Sequence, residues 1–194
     1  MKGGLSRREL LAGAAAGAAA ASGALAPAAA AATGDADTVS KTLAAELLAV
    51  FCYEHVLALG TLGPESEPVV ARILDHERAH VRALEAELRS LGAAPPPAPR
   101  SIEEADVELE SRHTSGRLKG LHTEHGSLDF LYSVEAITIG AHDQALESLV
   151  DPRLVRTSVE IMGVEAQHAA AIGSLLHPGR FDRIVPVNYV KGKT

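Results

Sequence analysis

Cysteine is almost missing from this chain of 194 residues: Cys52 stands alone. That excludes an intramolecular disulfide, a cysteine-built zinc knuckle and a rubredoxin-type iron site. Tryptophan is absent, and aromatic residues make up only 3%. Ala and Leu dominate instead, which favours helices over sheets. Positive charge is also scarce. The formal net charge is −7, which gives no electrostatic footing for nucleic acid. The length suffices for one domain with a sizeable core.

One long, weakly apolar run stands out, from Leu10 to Ala32, behind the basic residues Lys2, Arg7 and Arg8. Ser6-Arg7-Arg8-Glu9-Leu10-Leu11 resembles a twin-arginine export signal, although Leu10 stands where Phe is usual and Ala12 where Lys is common. Ala30-Ala31-Ala32 before Thr33 suits signal cleavage. Residues 1–32 are therefore expected to engage the twin-arginine translocase and be removed. The mature protein would then work in the periplasm or another extracytoplasmic space. Removal takes away three basic and one acidic side chain, which leaves a net charge of −9. The alternative is an uncleaved membrane anchor, because the run is long enough to span.

Residues 33–37 read as a linker. A first helix is expected from Asp37 or Ser40 to just before Gly60, with Leu43, Glu46, Val50, Tyr53 and Leu57 on its inner stripe. A second runs from Glu67 to Leu91 and stops at Gly92. Residues 92–126 are proline-rich and then polar, with one short helix capped at Ser101-Ile102-Glu103-Glu104. A loop this long needs a reason, and crossing the length of a bundle supplies one. A third helix spans 127–150. Asp151-Pro152 then caps a fourth, which ends at His177-Pro178-Gly179. The fold class is all-α: a four-helix bundle over 38–176, two helical hairpins joined by a long crossover, with a C-terminal tail over 177–194.

The chemistry lies in a near-repeat. Glu77-Arg78-Ala79-His80 and Glu165-Ala166-Gln167-His168 each place a carboxylate and an imidazole on one helix face. Glu46 precedes the first motif by 31 positions, and Glu135 precedes the second by 30. All six of these residues fall on inner stripes, as does His142, whereas no Lys or Arg does. Charged side chains are almost never buried without partners. Two divalent cations would neutralise four carboxylates, and two His would complete the shells. That is the ligand pattern of a dinuclear carboxylate-bridged site in a helical bundle. Oxygen and imidazole ligands suit iron or manganese, although spacing does not exclude zinc. The plain alternative is a bundle whose inner Glu are protonated. Glu54 and Glu147 compete as ligands but lie off the stripes. His76-Glu77-Arg78-Ala79-His80 also matches the H-E-x-x-H of zinc metalloproteases. That reading leaves Glu46, Glu135 and the second motif unexplained.

With these motifs, residues 38–176 resemble the ferritin-like superfamily, and their arrangement is similar to bacterioferritin and related exported ferritin-like domains. The resemblance implies two iron or manganese ions per chain. Glu46 and Glu135 would be terminal carboxylates, Glu77 and Glu165 bridging ones, and His80 and His168 terminal imidazoles. Tyr53, seven residues after Glu46, matches a tyrosine common in the superfamily, and His142 holds the equivalent offset after Glu135. Both are expected to stand behind the ligands. Many members carry Asp just before Glu-x-x-His, but this chain has His76 and Val164 there. The tail lacks a fifth-helix pattern, which argues against a storage cage. The expected function is reaction of the dinuclear centre with dioxygen or peroxide. Ferrous oxidation, peroxide disproportionation and oxidation of another substrate are the candidate outcomes. The alternative is a non-catalytic envelope or stress protein with a structural metal. A homodimer is one expected assembly.

Overall fold

The computed structural model describes residues 7–112, 114 and 117–184, with side chains from residue 33 onward. The helices are α1 (Arg7–Leu59), α2 (Glu67–Ser90), α3 (Ile102–Ser111), α4 (Glu124–Ser148), α5 (Pro152–Leu176) and α6 (Phe181–Ile184). A 3₁₀ turn, Leu118–Gly120, precedes α4, and no strand occurs among the described residues.

Side-chain pairings give the helix directions. Asp35 meets Val150, Glu46 meets His142, Tyr53 meets Glu135 and Thr61 meets Ser127, so α1 and α4 are antiparallel. His76 meets His168, His80 meets Glu165, and Glu87 meets Arg153, so α2 and α5 are antiparallel too. Since α1 and α2 form a hairpin, α2 and α4 run the same way. The crossover must therefore return along the bundle, as the length of 92–126 requires. Around the bundle, α1 touches α2 and α4, and α5 touches α4 and α2.

Local signals place the helix ends. Gly92 at φ 74° turns the chain out of α2, a conformation a Cβ would strain. Ser101 accepts from the Glu104 N–H at 3.2 Å and starts α3. Thr123 accepts from the Gly126 N–H at 3.1 Å and starts α4 three residues before the expected position. Asp151 accepts from the Arg153 N–H at 2.8 Å, ahead of Pro152 at the head of α5.

Two expectations change. Residues 33–37 are not a linker, because α1 runs through them without a break. The reason is a latch and not local propensity. Thr33-Gly34-Asp35-Ala36-Asp37 contains mostly weak helix formers, but Asp35 accepts from the Val150 and Asp151 N–H groups at 2.8 and 3.0 Å. Those two donors open the α4–α5 turn and would otherwise lack partners. The side chains of residues 1–32, where an export signal is expected, His113 and the tail beyond Ile184 lie outside the described residues. Thr33–Leu59 is apolar and long enough to cross a bilayer, yet its buried residues form the bundle core.

The crossover is also less polar than its composition suggests. Ala105, Leu109, Leu118 and Leu121 are buried against α1. They cover Ala45, Leu48, Ala49 and Cys52, so α1 is buried over a wider arc than one stripe. The apolar interior forms two clusters. One holds Tyr53, Val56, Val70, Ile73, Leu128 and Leu131. The other holds Val39, Leu43, Leu84, Leu88, Leu154 and Ile161. The inward-facing Glu and His residues lie in the layer between them.

Candidate metal centre

Each of the four long helices supplies polar side chains to this layer. Glu46 (α1), Glu77 (α2), Glu135 (α4) and Glu165 (α5) are all fully buried. His80 and His168 retain 8% and 4% exposure, so the layer is closest to solvent along the α2–α5 side. The ligand atoms fall into two overlapping sets. Glu46, Glu77, His80 and Glu165 bring one ligand atom each within 4.8 Å of one another, and Glu77, Glu135, Glu165 and His168 do the same. Glu77 and Glu165 belong to both sets. Each set also has one private carboxylate and one private imidazole.

Both imidazoles turn Nδ1 inward. His80 Nδ1 lies 2.7 Å from Glu165 Oε1 and 3.5 Å from Glu46 Oε2. His168 Nδ1 lies 2.9 Å from Glu77 Oε1, 3.4 Å from Glu135 Oε2 and 3.6 Å from Glu165 Oε2. These approaches are close but misaligned. Glu46 Oε2, both Glu77 oxygens, Glu135 Oε2, Glu165 Oε1 and the two Nδ1 atoms are buried without a hydrogen bond. Buried polar atoms are rarely left so. Here the orphaned atoms are the same ones that converge on two points, and they are all oxygens and imidazole nitrogens. They fit two hard or borderline divalent cations.

The charges need such a partner. Burial pushes the Glu77 carboxyl well above its usual range, helped by the charges of Glu46, Glu165 and Glu135. Burial likewise raises Glu135 to about 8. Glu46 and Glu165 go the other way: burial opposes their ionisation, but His142 and His80 outweigh it at Glu46, and His168 and His80 at Glu165. Burial would keep His80 neutral, yet Glu165 and Glu46 hold it up at about 9. Protons thus do the work of cations among these residues.

Further groups stand behind the ligands. The Tyr53 hydroxyl donates to Glu135 Oε1, and burial raises its own pKa well above the usual value, so it stays a donor. His142 Nε2 donates to Glu46 Oε1 at 2.9 Å, and its Nδ1 meets Ser158 Oγ at 2.8 Å. Tyr53 and His142 therefore cross over: each helix's terminal Glu is held from the other helix. Thr138 donates to Glu165 Oε2 at 2.9 Å. His76 Nδ1 lies 3.0 Å from His168 Nε2 on the solvent side.

Comparison with known proteins agrees with this fold. The ferritin-like domain family matches the chain over residues 34–178. The chain belongs to the ferritin-like family. Among solved structures, a conserved hypothetical protein from Mycobacterium tuberculosis has a similar fold. It is 14% identical, with a TM-score of 0.64 and coverage of 81% of this chain and 96% of that one. No curated protein matches the sequence.

A ferritin-like bundle also settles the rival residues. Glu54 is exposed and pairs with Arg78 at 2.9 Å, and Glu147 is exposed as well. The H-E-x-x-H reading fails on direction. His80 points its Nδ1 into the bundle, whereas His76 bonds His168 at the surface and joins neither ligand set. The inner-stripe reading named the six candidate donors that the fold brings together but gave no role to Thr138, Ser158 or His76. Short hydroxyl side chains on a helix look alike in sequence, and His76 lies off the stripe. The one available signal for His76 is its place immediately before Glu77. His122 in the crossover and His125 in the first turn of α4 are exposed.

Proposed function

We propose that Glu46, Glu77, His80, Glu135, Glu165 and His168 hold two iron or manganese ions, and that the centre reacts with dioxygen or peroxide outside the cytoplasm. The observation that carries this reading is the set of seven buried, unpaired ligand atoms grouped around two points with Glu77 and Glu165 in common. Bound as a pair, such metals supply reversible electron transfer to an oxygen species. The protein's residues do the rest. Glu77 and Glu165, common to both sets, would be shared between the two ions, and Glu46 and Glu135 would each serve one. His142 and Tyr53 hold the terminal carboxylates at fixed angles. The apolar clusters on both sides exclude bulk water, and the layer comes nearest to solvent along the α2–α5 side. Tyr53 and His142 each hold a proton at a ligand oxygen. The weakly apolar run behind Arg7-Arg8 supports export through the twin-arginine translocase.

The test is loading and turnover. Apo-protein reconstituted with Fe²⁺ or Mn²⁺ should take up about two ions per chain, as a bundle with this ligand set does. The loaded protein should oxidise ferrous iron or consume peroxide, and Glu165→Ala should abolish both uptake and turnover. Two bound ions with a raised Tm but no turnover would favour the structural-metal alternative. Replacing Arg7 and Arg8 by Lys should trap precursor in the cytoplasm, and normal processing would overturn the export reading.

A further inference from the structure

We infer that His76 is a positioning residue for one of the two metal positions only, the Glu135–His168 position, and that the two positions consequently differ in affinity. This rests on the dinuclear reading above. The geometry begins with His168. Its Nδ1 faces Glu77, Glu135 and Glu165, so Nδ1 must present a lone pair when a cation is held there. A neutral imidazole has one proton, which must then sit on Nε2. His168 Nε2 lies 3.0 Å from His76 Nδ1. The N–H of His168 therefore donates to His76, whose own proton is left on Nε2 at the surface. The two rings lie 5.3 Å apart with planes 24° apart, so the contact also fixes the tilt of His168.

His80 has no equivalent. The residue before Glu165 is Val164, which has no side-chain acceptor. Among the described residues no hydrogen bond reaches His80 Nε2, although its ring lies 5.8 Å from that of His168. The tautomer and tilt of His80 are therefore left to solvent and to packing. An outer partner that fixes a ligand imidazole typically changes metal affinity by about 10–100-fold. His76 is itself exposed and belongs to neither ligand set, so replacing it removes no ligand atom and opens no cavity.

The experiment is titration of the full-length apo-protein with Mn²⁺ alone, followed by calorimetry and by the electron paramagnetic resonance of single and coupled ions. The parent should bind two ions, the tighter at the His168 position. His76→Ala should still bind two, but the tighter constant should weaken about 10–100-fold while the other stays unchanged. His76→Asn, whose Oδ1 can replace the Nδ1 acceptor, should restore it. In a His168→Ala background, His76→Ala should have no further effect, whereas in a His80→Ala background its full effect should persist. Unchanged constants in His76→Ala, equal weakening at both positions, or no rescue by Asn would overturn the inference. A parent that binds no Mn²⁺ would instead overturn the dinuclear reading itself. The apo-state Tm of each variant separates a folding defect from an affinity change.

Discussion

The two halves of the candidate centre have the same donor residues and different surroundings. In one half, Glu46 is held by His142 and backed by Ser158, and His80 has no hydrogen-bonded partner behind it among the described residues. In the other, Glu135 is held by Tyr53, and His168 is held by His76. The ligand repeat, Glu then Glu-x-x-His, is close to symmetric along the chain. The groups behind it are not. A cation would restrict the donor types in both halves, and both have the same ones. The supporting groups need only present one donor or acceptor at the right place, and several residue types can do that.

The largest break in the comparison comes from the shared residues. Glu77→Ala and Glu165→Ala should each empty both positions, whereas Glu46→Ala and Glu135→Ala should each lose about one ion of two. Metal analysis of the purified variants checks this. Equal loss in all four would show that the halves are not separable.

Removing the supports should cost less, and unequally. His142→Ala strands the Glu46 oxygen and the Ser158 hydroxyl in a buried site. It should lower apo-state stability by about 2–5 kcal/mol in urea unfolding, because the truncation opens a cavity and leaves buried polar atoms without hydrogen bonds. Tyr53→Phe keeps the ring and strands one carboxylate oxygen, for about 1–3 kcal/mol. A larger loss in Tyr53→Phe would reverse the ranking of the halves.

Acidity sharpens the same contrast. A carboxyl raised in the folded state loses stabilising effect as pH climbs from its usual 4.5 to its folded value, about 8 for Glu135. A raised imidazole does so from 6.5 to about 9 for His80. Both slopes have one sign, so the Tm of chelated protein should fall between roughly pH 5 and 9. Metal, which displaces those protons, should flatten the curve. A flat curve without metal would contradict burial of the charges. The smallest effect lies outside the centre: Asp35→Ala should cost about 1–2 kcal/mol by uncapping the α4–α5 turn, with metal content unchanged.

The bundle and the six side chains gathered at its centre were legible because burial and charge conflict at six positions whose spacing is helical. The conflict has few physical solutions, and a metal pair is one of them. The helix starts at Ser101 and Asp151 were legible because caps are local. The rest needed the third dimension. Ala45, Ala49 and Cys52 are small and look neutral, so the second buried face of α1 was hidden until the crossover was seen to cover it. Asp35 reads as a linker acid, yet its partners lie more than a hundred residues away. Ser158 falls on the α5 stripe, but nothing local tells that its hydroxyl meets His142. His76 drew attention for a zinc motif, and its hydrogen-bond partner His168 lies on another helix, 92 residues away.

The most direct test is crystallography of the full chain loaded with Mn²⁺, with anomalous data at the manganese edge. Two peaks are predicted, roughly 3.5–4 Å apart as in two-metal sites. Glu77 and Glu165 should lie between them, with Glu46 and His80 on one and Glu135 and His168 on the other. A single peak, or a peak bound by His76 and His80 together, would contradict the account.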